Sequence, residues 1–177
     1  IADTPIWFTY IGRIVAPIYF FLLVESFFHT RDRKKFMMRL FGFAFITFLI
    51  LNLMFRQPLN IFASMAMGIL MLNIIEFIKS NKENIFKKLI GCIGVIIVGI
   101  LSLYTEASYY GVGMILIFYF LRQKKFLMSI VYIIFSLCEI SFVFGTKYFL
   151  EELLLGNYQW MMVFSIIPIL LYNGKPG

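Results

Sequence analysis

The chain has 177 residues, of which 62% are hydrophobic and only 14% charged, and its mean hydropathy is +0.91. Soluble domains are about 45–50% apolar and about 25% charged, so this composition excludes an ordinary soluble domain and fits disorder, collagen or a disulfide scaffold poorly. In so apolar a chain, the formal net charge of +7 indicates membrane topology rather than a nucleic-acid partner. We therefore expect a protein that crosses the lipid bilayer several times.

The apolar stretches, taken in chain order, predict the helices of this protein. A helix needs about 20 apolar residues to cross the hydrocarbon layer. About seven such stretches predict an all-α fold, a polytopic transmembrane helical bundle that forms a single membrane domain over residues 1–177. The approximate spans are 6–28, 36–55, 60–78, 88–105, 108–121, 126–145 and 157–172. The charged, leucine-rich segment 146–155 either prolongs the sixth span or lies at the membrane interface.

Positive charges are concentrated in alternate loops of the predicted bundle. Most of the 16 Lys and Arg residues fall on one side, namely Arg31, Arg33, Lys34, Lys35, Arg39, Lys79, Lys82, Lys87, Lys88, Arg122, Lys124, Lys125 and Lys175. The Lys and Arg bias of short loops sets topology. The basic loops 29–35, 79–88 and 122–125 are therefore predicted to be cytoplasmic.

Arg13 lies about two turns into the first span, where a charge is costly and often marks function. Pro17 lacks a backbone N–H and frees the carbonyl of Arg13 from its usual helical partner. This pattern favours an anion or carbonyl clamp, and the alternative is an ion pair that only holds the helices together. Glu106 lies between two spans on the side predicted to be outside. That side also receives the polar residues Arg56, Asn60, Asn157 and Gln159.

A carboxylate, an arginine and several amides at one end of a bundle could bind a polar substrate and exchange protons with it. Solvated loop residues would give the same pattern, so both interpretations stay open. Two further acids lie within predicted spans. Glu25 could pair with Arg31 or Arg39, and Glu139 could pair with Arg13 or stay protonated.

The first basic loop has a general interpretation and a specific one. Positive-inside bias and attraction to anionic lipid explain its charges in general terms. The specific hypothesis is that Arg31, Arg33 and Arg39 bind the phosphates of a cytoplasmic donor, since guanidinium forks match phosphate oxygens. His29 has the chemistry of a general base, but a solvated role beside the cationic loop is simpler. No glycine-rich phosphate loop or Cys/His metal spacing is present, so no metal site is predicted.

Five motifs resemble, in the same order, those of the TraX family. They are Arg13–Phe21 with Glu25–Lys35 and Arg39-Leu40, Asn60–Phe62 with Gly68, Glu106–Gly111, Gly156–Met162, and Leu171–Lys175. Each motif is loose on its own, but together they extend over nearly the whole chain.

The resemblance implies an integral acyltransferase of the bacterial cytoplasmic (inner) membrane. Such an enzyme would transfer an acetyl group from acetyl-CoA, or another acyl-CoA, to an amine or hydroxyl acceptor such as a surface peptide, pilin or glycan. The donor would be a substrate, with no cofactor bound. On this basis Arg13 and Glu106 are catalytic candidates, and Arg31, Arg33 and Arg39 would bind the donor. The substrate-binding candidates are Asn60, Tyr109, Tyr110, Asn157 and Gln159.

The sequence also departs from the family pattern. The family usually has an Asp-His pair in an N-terminal helix and a final helix near the C-terminus, and neither is found in these 177 residues. We expect the main catalytic base to be a histidine outside this sequence, in a natural protein of about nine helices. Two other functions remain possible, a small transporter or channel with charged groups along its path, and a noncatalytic assembly factor. Solute flux without a donor would favour the first, and donor binding without turnover the second.

Overall fold

The computed structural model describes residues 6–56, 60–143 and 158–174, without the side chains of residues 6, 55 and 139–143. Every regular element in these ranges is a helix, which confirms the predicted all-α fold. The helices are α1 (Ile6–His29), α2 (Arg33–Phe55), α3 (Ile61–Ser80), α4 (Ile85–Ser102), α5 (Ser108–Leu121), α6 (Lys125–Val143), and a 3₁₀ helix (Gln159–Ser165) that leads into α7 (Ile166–Leu171). The segment 146–155, predicted either to prolong the sixth span or to lie at the membrane interface, is outside the described ranges.

Side-chain caps fix where three of these helices begin. In each case the side-chain oxygen accepts a hydrogen bond from the backbone N–H three residues later, at 3.1 Å for Asp32, 2.8 Å for Asn60 and 3.1 Å for Asn84. Such caps satisfy donors that the first helical turn leaves unpaired. The cap at Asn84 starts α4 three residues before the predicted span. The sequence predicted a later start because Lys87 and Lys88 lie in the first turn and lower its hydropathy.

Within the described ranges, four helices are long and apolar enough to cross a membrane, over Trp7–His29, Arg33–Met54, Ile61–Ser80 and Ile85–Ser102. Three apolar helical segments are shorter, over Ser108–Leu121, Lys125–Cys138 and Gln159–Leu171. On α2 the large apolar side chains are widely exposed, with Leu53 at 81%. Apolar side chains are favourably exposed to lipid, and a helix satisfies its own backbone hydrogen bonds there. The protein is therefore a helical membrane protein.

The chain divides into two compact units. Unit 1 comprises residues 1–22 and 116–177, and unit 2 comprises residues 23–115.

In unit 1 a buried tyrosine fastens the 3₁₀ helix to α6. The Tyr132 hydroxyl donates to the carbonyl of Met162 at 2.6 Å and lies 2.7 Å from the Ser165 hydroxyl. The Phe118 ring of α5 stacks on Tyr132 with ring centroids 5.3 Å apart. A buried hydroxyl needs such partners because burying a polar group without a hydrogen bond costs free energy. The Tyr132 side chain thus explains why a short 3₁₀ segment is held at this position.

In unit 2, α3 packs between α2 and α4 and has more buried residues than either of them, including Met65, Ala66, Ile69 and Leu72. Glycines let α4 approach closely. A Cβ at Gly91 would collide with the Ile78 side chain of α3. Small residues at helix contacts are common in membranes, where close packing replaces the hydrophobic effect as the source of association.

Replacing Gly91 by Leu should reduce the stability of unit 2. Overpacking a well-packed contact costs about 1–3 kcal/mol, so we expect a lower midpoint of thermal unfolding in detergent. Gly42→Leu is the matched control, because a Cβ at Gly42 on α2 has no neighbour within 4 Å. Equal midpoints for the two variants would contradict this account of the α3–α4 contact.

The N-terminus of α3 lies beside the middle of α2. Asn60, which is only 4% exposed, donates from its amide to the carbonyl of Ala44 at 3.2 Å. Ala44 stands at the centre of the 23-residue helix α2. At a rise of about 1.5 Å per residue, the second half of α2 continues for about 16 Å beyond this contact. The helices of unit 2 are therefore level at one end, the basic end, and uneven at the other.

Candidate functional site

The turn between α1 and α2 carries the first basic loop, and local hydrogen bonds fix its shape. The Thr30 hydroxyl donates to the carbonyl of Ser26 at 2.6 Å as α1 ends. Asp32 then caps α2, and its carboxylate also lies 3.5 Å from the ammonium group of Lys35. Asp32 is the single acid of this turn, and four cations surround it, so the turn remains strongly cationic.

An open pocket of about 870 Å³ lies at this turn. It is lined by Thr30, Arg31, Asp32, Arg33, Lys34, Lys35 and Asn73. Its size falls within the range of about 300–1,000 Å³ that small-molecule and cofactor pockets occupy. Four of the lining side chains are cations and one is an acid, so the pocket suits an anionic ligand, and its guanidinium groups match phosphate oxygens in particular.

Arg33 is held in the pocket wall by contacts with two neighbouring helices. Its guanidinium lies 3.6 Å from the Glu76 carboxylate of α3 and 4.3 Å from the centroid of the Phe27 ring of α1. The ring is fully buried, and a cation over an aromatic face is attracted by the ring quadrupole. Glu76 also lies 3.5 Å from the ammonium group of Lys79. One carboxylate therefore serves two cations at the edge of the pocket.

A histidine–glutamate contact precedes this turn on α1. The Nδ1 atom of His29 lies 2.8 Å from the Glu25 carbonyl oxygen and 3.9 Å from a Glu25 carboxylate oxygen. A carbonyl only accepts hydrogen bonds, so Nδ1 is the donor and carries a proton. His29 is 59% exposed, whereas the Glu25 side chain is 10% exposed. The buried acid predicted to pair with Arg31 or Arg39 thus contacts the histidine of its own helix.

The three arginines predicted to bind donor phosphates occupy different environments. Arg31 and Arg33 line the pocket. Arg39 is exposed on α2 and is not among the lining residues. The described residues include no group of three or more His, Cys, Asp or Glu side chains placed to hold a metal ion.

At the other end of unit 2 the structure brings several predicted site residues together. Asn60 caps α3, and one turn later the Ser64 hydroxyl accepts a hydrogen bond from the backbone N–H of Ala107 at 3.0 Å. The loop that carries Glu106 therefore docks on the start of α3. Glu106 itself is exposed.

The two tyrosines predicted to bind substrate lie in the first turn of α5, at this same end of unit 2. Tyr109 and Tyr110 have ring centroids 4.2 Å apart, Tyr109 being 53% exposed and Tyr110 buried. The Asn60 amide uses its oxygen in the helix cap and its nitrogen in the contact with Ala44. Asn60 thus has an evident structural role, and its predicted substrate contact stays a prediction.

Unit 1 holds the remaining predicted site residues. Arg13 is exposed on α1, one turn after Tyr10, whose ring lies 5.3 Å from that of Tyr158. Gln159, which begins the 3₁₀ helix, directly follows Tyr158. The structure thus brings the start of the 3₁₀ helix close to the part of α1 that carries Arg13. The predicted site residue Asn157 and the side chain of Glu139 lie outside the described part of the chain.

Within unit 2 the pocket and the Asn60 cap stand far apart. Glu76 at the pocket and Asn60 are sixteen positions apart along α3, which corresponds to about 24 Å at 1.5 Å per residue. The predicted donor site and the predicted acceptor residues of this unit are therefore at opposite ends of α3.

Sequence reasoning missed three residues that shape the pocket. Asn73 and Glu76 lie within the predicted third span, and Phe27 is one of many phenylalanines. A signal was available for the first two, because polar residues three positions apart lie on one face of a helix and are rare in a membrane span. Phe27 carried no such signal, since only the fold places its ring beside Arg33.

The helices, their apolar surface and the basic pocket define a polytopic helical membrane protein. The sequence matches the family model described as TraX protein over residues 2–167, and the chain belongs to the TraX family. No curated protein and no solved structure matches the chain.

Proposed function

We propose that this protein is an integral membrane acyltransferase that moves an acetyl group from acetyl-CoA, or another acyl group from its CoA ester, to an amine or hydroxyl acceptor. The acceptor would be a surface peptide such as pilin, or a glycan. Membership of the TraX family supports this proposal, because acetylation of conjugative pilin is the activity that the resemblance implies.

The basic pocket is the observation that carries the proposal. Acyl-CoA has several phosphate oxygens at one end and a thioester at the end of a long arm. The pocket offers Arg31, Lys34 and Lys35 at the edge of a membrane helix, together with the clamped Arg33. Charge-assisted bonds from such side chains are the stronger class of hydrogen bond. The phosphates would bind there, and the arm would lead the acyl group away from the pocket.

The proposal includes an orientation in the bacterial cytoplasmic membrane. Acyl-CoA is a cytoplasmic compound, so the pocket would face the cytoplasm, with loops 29–35, 79–88 and 122–125 on that side. The Lys and Arg bias of these loops supports the same orientation. The bilayer, the donor and the acceptor are then the partners of the protein.

The acyl transfer itself balances without a cofactor. The acceptor nitrogen or oxygen attacks the thioester carbonyl, the C–S bond breaks, and the acceptor proton passes through a base to the departing thiolate. In this proposal Arg13 stabilises the oxyanion or orients the acceptor, and Glu106 exchanges protons with it. The residues that would contact the acceptor are Asn60, Tyr109, Tyr110, Asn157 and Gln159.

Radiolabelled acetyl-CoA tests this function in sealed membrane vesicles that contain the natural full-length protein. With the cytoplasmic face outward we expect saturable binding and transfer of label to an added amine or peptide acceptor. Vesicles of the opposite orientation should show neither until they are permeabilised. Absence of donor binding by folded protein in both orientations would exclude the proposed function, and binding only in the opposite orientation would exclude the topology.

A further inference from the structure

Glu76 is an acid at the edge of a pocket that otherwise favours anions. Its two carboxylate oxygens take different cations, one at 3.6 Å from Arg33 and the other at 3.5 Å from Lys79. The Glu76 side chain is 32% exposed, so it is partly shielded from solvent. Arg33 lines the pocket, while Glu76 does not. The carboxylate therefore reaches the guanidinium from behind the pocket wall.

This geometry makes Glu76 and a bound anion competitors for one guanidinium. Arg33 can donate several hydrogen bonds in a fixed fork, but a carboxylate 3.6 Å away reduces the positive potential that an incoming phosphate meets. The Phe27 ring on the guanidinium face restricts how far Arg33 can move towards the ligand. The remaining cations of the pocket have no such restraint from α3.

We propose that Glu76 is the counter-ion that sets the release rate of the pocket: it holds Arg33 in the empty state and retakes it as a phosphate-bearing ligand leaves. As applied to acyl-CoA, this inference rests on the proposed function. The spent CoA keeps all the phosphates of the donor, so a pocket without a competing carboxylate would release the product slowly. Uniformly tighter binding lowers KM and does not accelerate the chemical step.

Replacing Glu76 by Gln removes the charge and keeps the size of the side chain. The test would measure binding and dissociation of inorganic pyrophosphate and of CoA with the full chain in lipid nanodiscs. The Glu76→Gln variant should bind pyrophosphate about tenfold more tightly, since one charge-assisted hydrogen bond is worth roughly that factor. Most of the change should appear as slower dissociation, with a steeper dependence of affinity on salt.

Glu83→Gln is the matched control. Glu83 is an exposed acid in the turn between α3 and α4 and lies outside the pocket. Its removal changes the net charge of the basic end equally, and affinity should stay within about twofold. Adding Arg33→Ala to the wild type and to Glu76→Gln should yield equal affinities, because the competition needs both partners.

Pyrophosphate binding by folded Glu76→Gln that is equal to or weaker than that of the wild type would overturn the inference. That result would leave the ion pair a helix contact only. If pyrophosphate binds more tightly to Glu76→Gln but CoA binds to neither protein, the counter-ion role stands for anions and the proposed function fails. Tighter binding that survives Arg33→Ala would also overturn the inference.

Discussion

An Arg31→Glu variant should bind acetyl-CoA about 100-fold more weakly than the wild-type protein. Arg31 lines the pocket, and no residue in the described ranges forms an ion pair with it, so its full charge is available to a phosphate. The change removes a charge-assisted hydrogen bond worth about 1.5–3 kcal/mol and adds repulsion from the new carboxylate. Isothermal titration in detergent or nanodiscs measures the effect directly.

The control for this prediction is Lys82→Glu, which reverses a charge at the same end of unit 2 but outside the pocket. We expect a loss of affinity of about threefold or less, since exposed charges beyond a Debye length are largely screened. Equal losses of affinity in the two variants would mean that acetyl-CoA binding depends only on the net charge of the protein. The pocket would then not be the donor site.

An Arg13→Ala variant should lose acyl transfer by about 100- to 1,000-fold while its donor affinity stays within twofold. That range is typical when one donor to a developing oxyanion is removed. Arg13 is an exposed cation on a helix long enough to span the membrane, four residues before Pro17. Single-turnover transfer from radiolabelled acetyl-CoA separates this chemical defect from a binding defect.

Two variants calibrate the Arg13 result. Arg13→Lys keeps the charge but loses the planar fork, and its rate should lie between those of the wild type and Arg13→Ala. Lys124→Ala removes an exposed cation of unit 1 from the loop before α6, and its rate should match the wild type. Transfer by Arg13→Ala at the wild-type rate would remove Arg13 from the reaction.

Much of the fold follows from the sequence because lipid imposes a simple pattern. Apolar runs long enough to cross a bilayer must be helical, and the starts of α1 and α5 agree with the predicted spans. The start of α4 differs because a hydropathy pattern carries no information on helix caps. Asn84 fixes the first turn of α4 by a side-chain hydrogen bond. The 3₁₀ helix was also unpredictable, since it depends on the distant Tyr132.

The candidate site was predictable in its charges and not in its pairings. Arg31 and Arg33 stood out as arginines in a basic loop, and the structure places both in the pocket wall. Their different restraints come from Glu76, which is more than forty residues away in the chain. Side-chain pairing between helices depends on their rotation and depth, and a single sequence contains neither.

The position of Arg33 joins ligand occupancy to the mechanical state of the membrane helices. Its guanidinium contacts α1 through Phe27 and α3 through Glu76 while belonging to α2. Coupling between two equilibria is reciprocal. If a bound anion draws Arg33 out of these contacts, it weakens the links among three helices. A change in the bilayer that strengthens those links would then weaken anion binding. The protein would thus report the physical condition of its membrane through the affinity of its basic pocket.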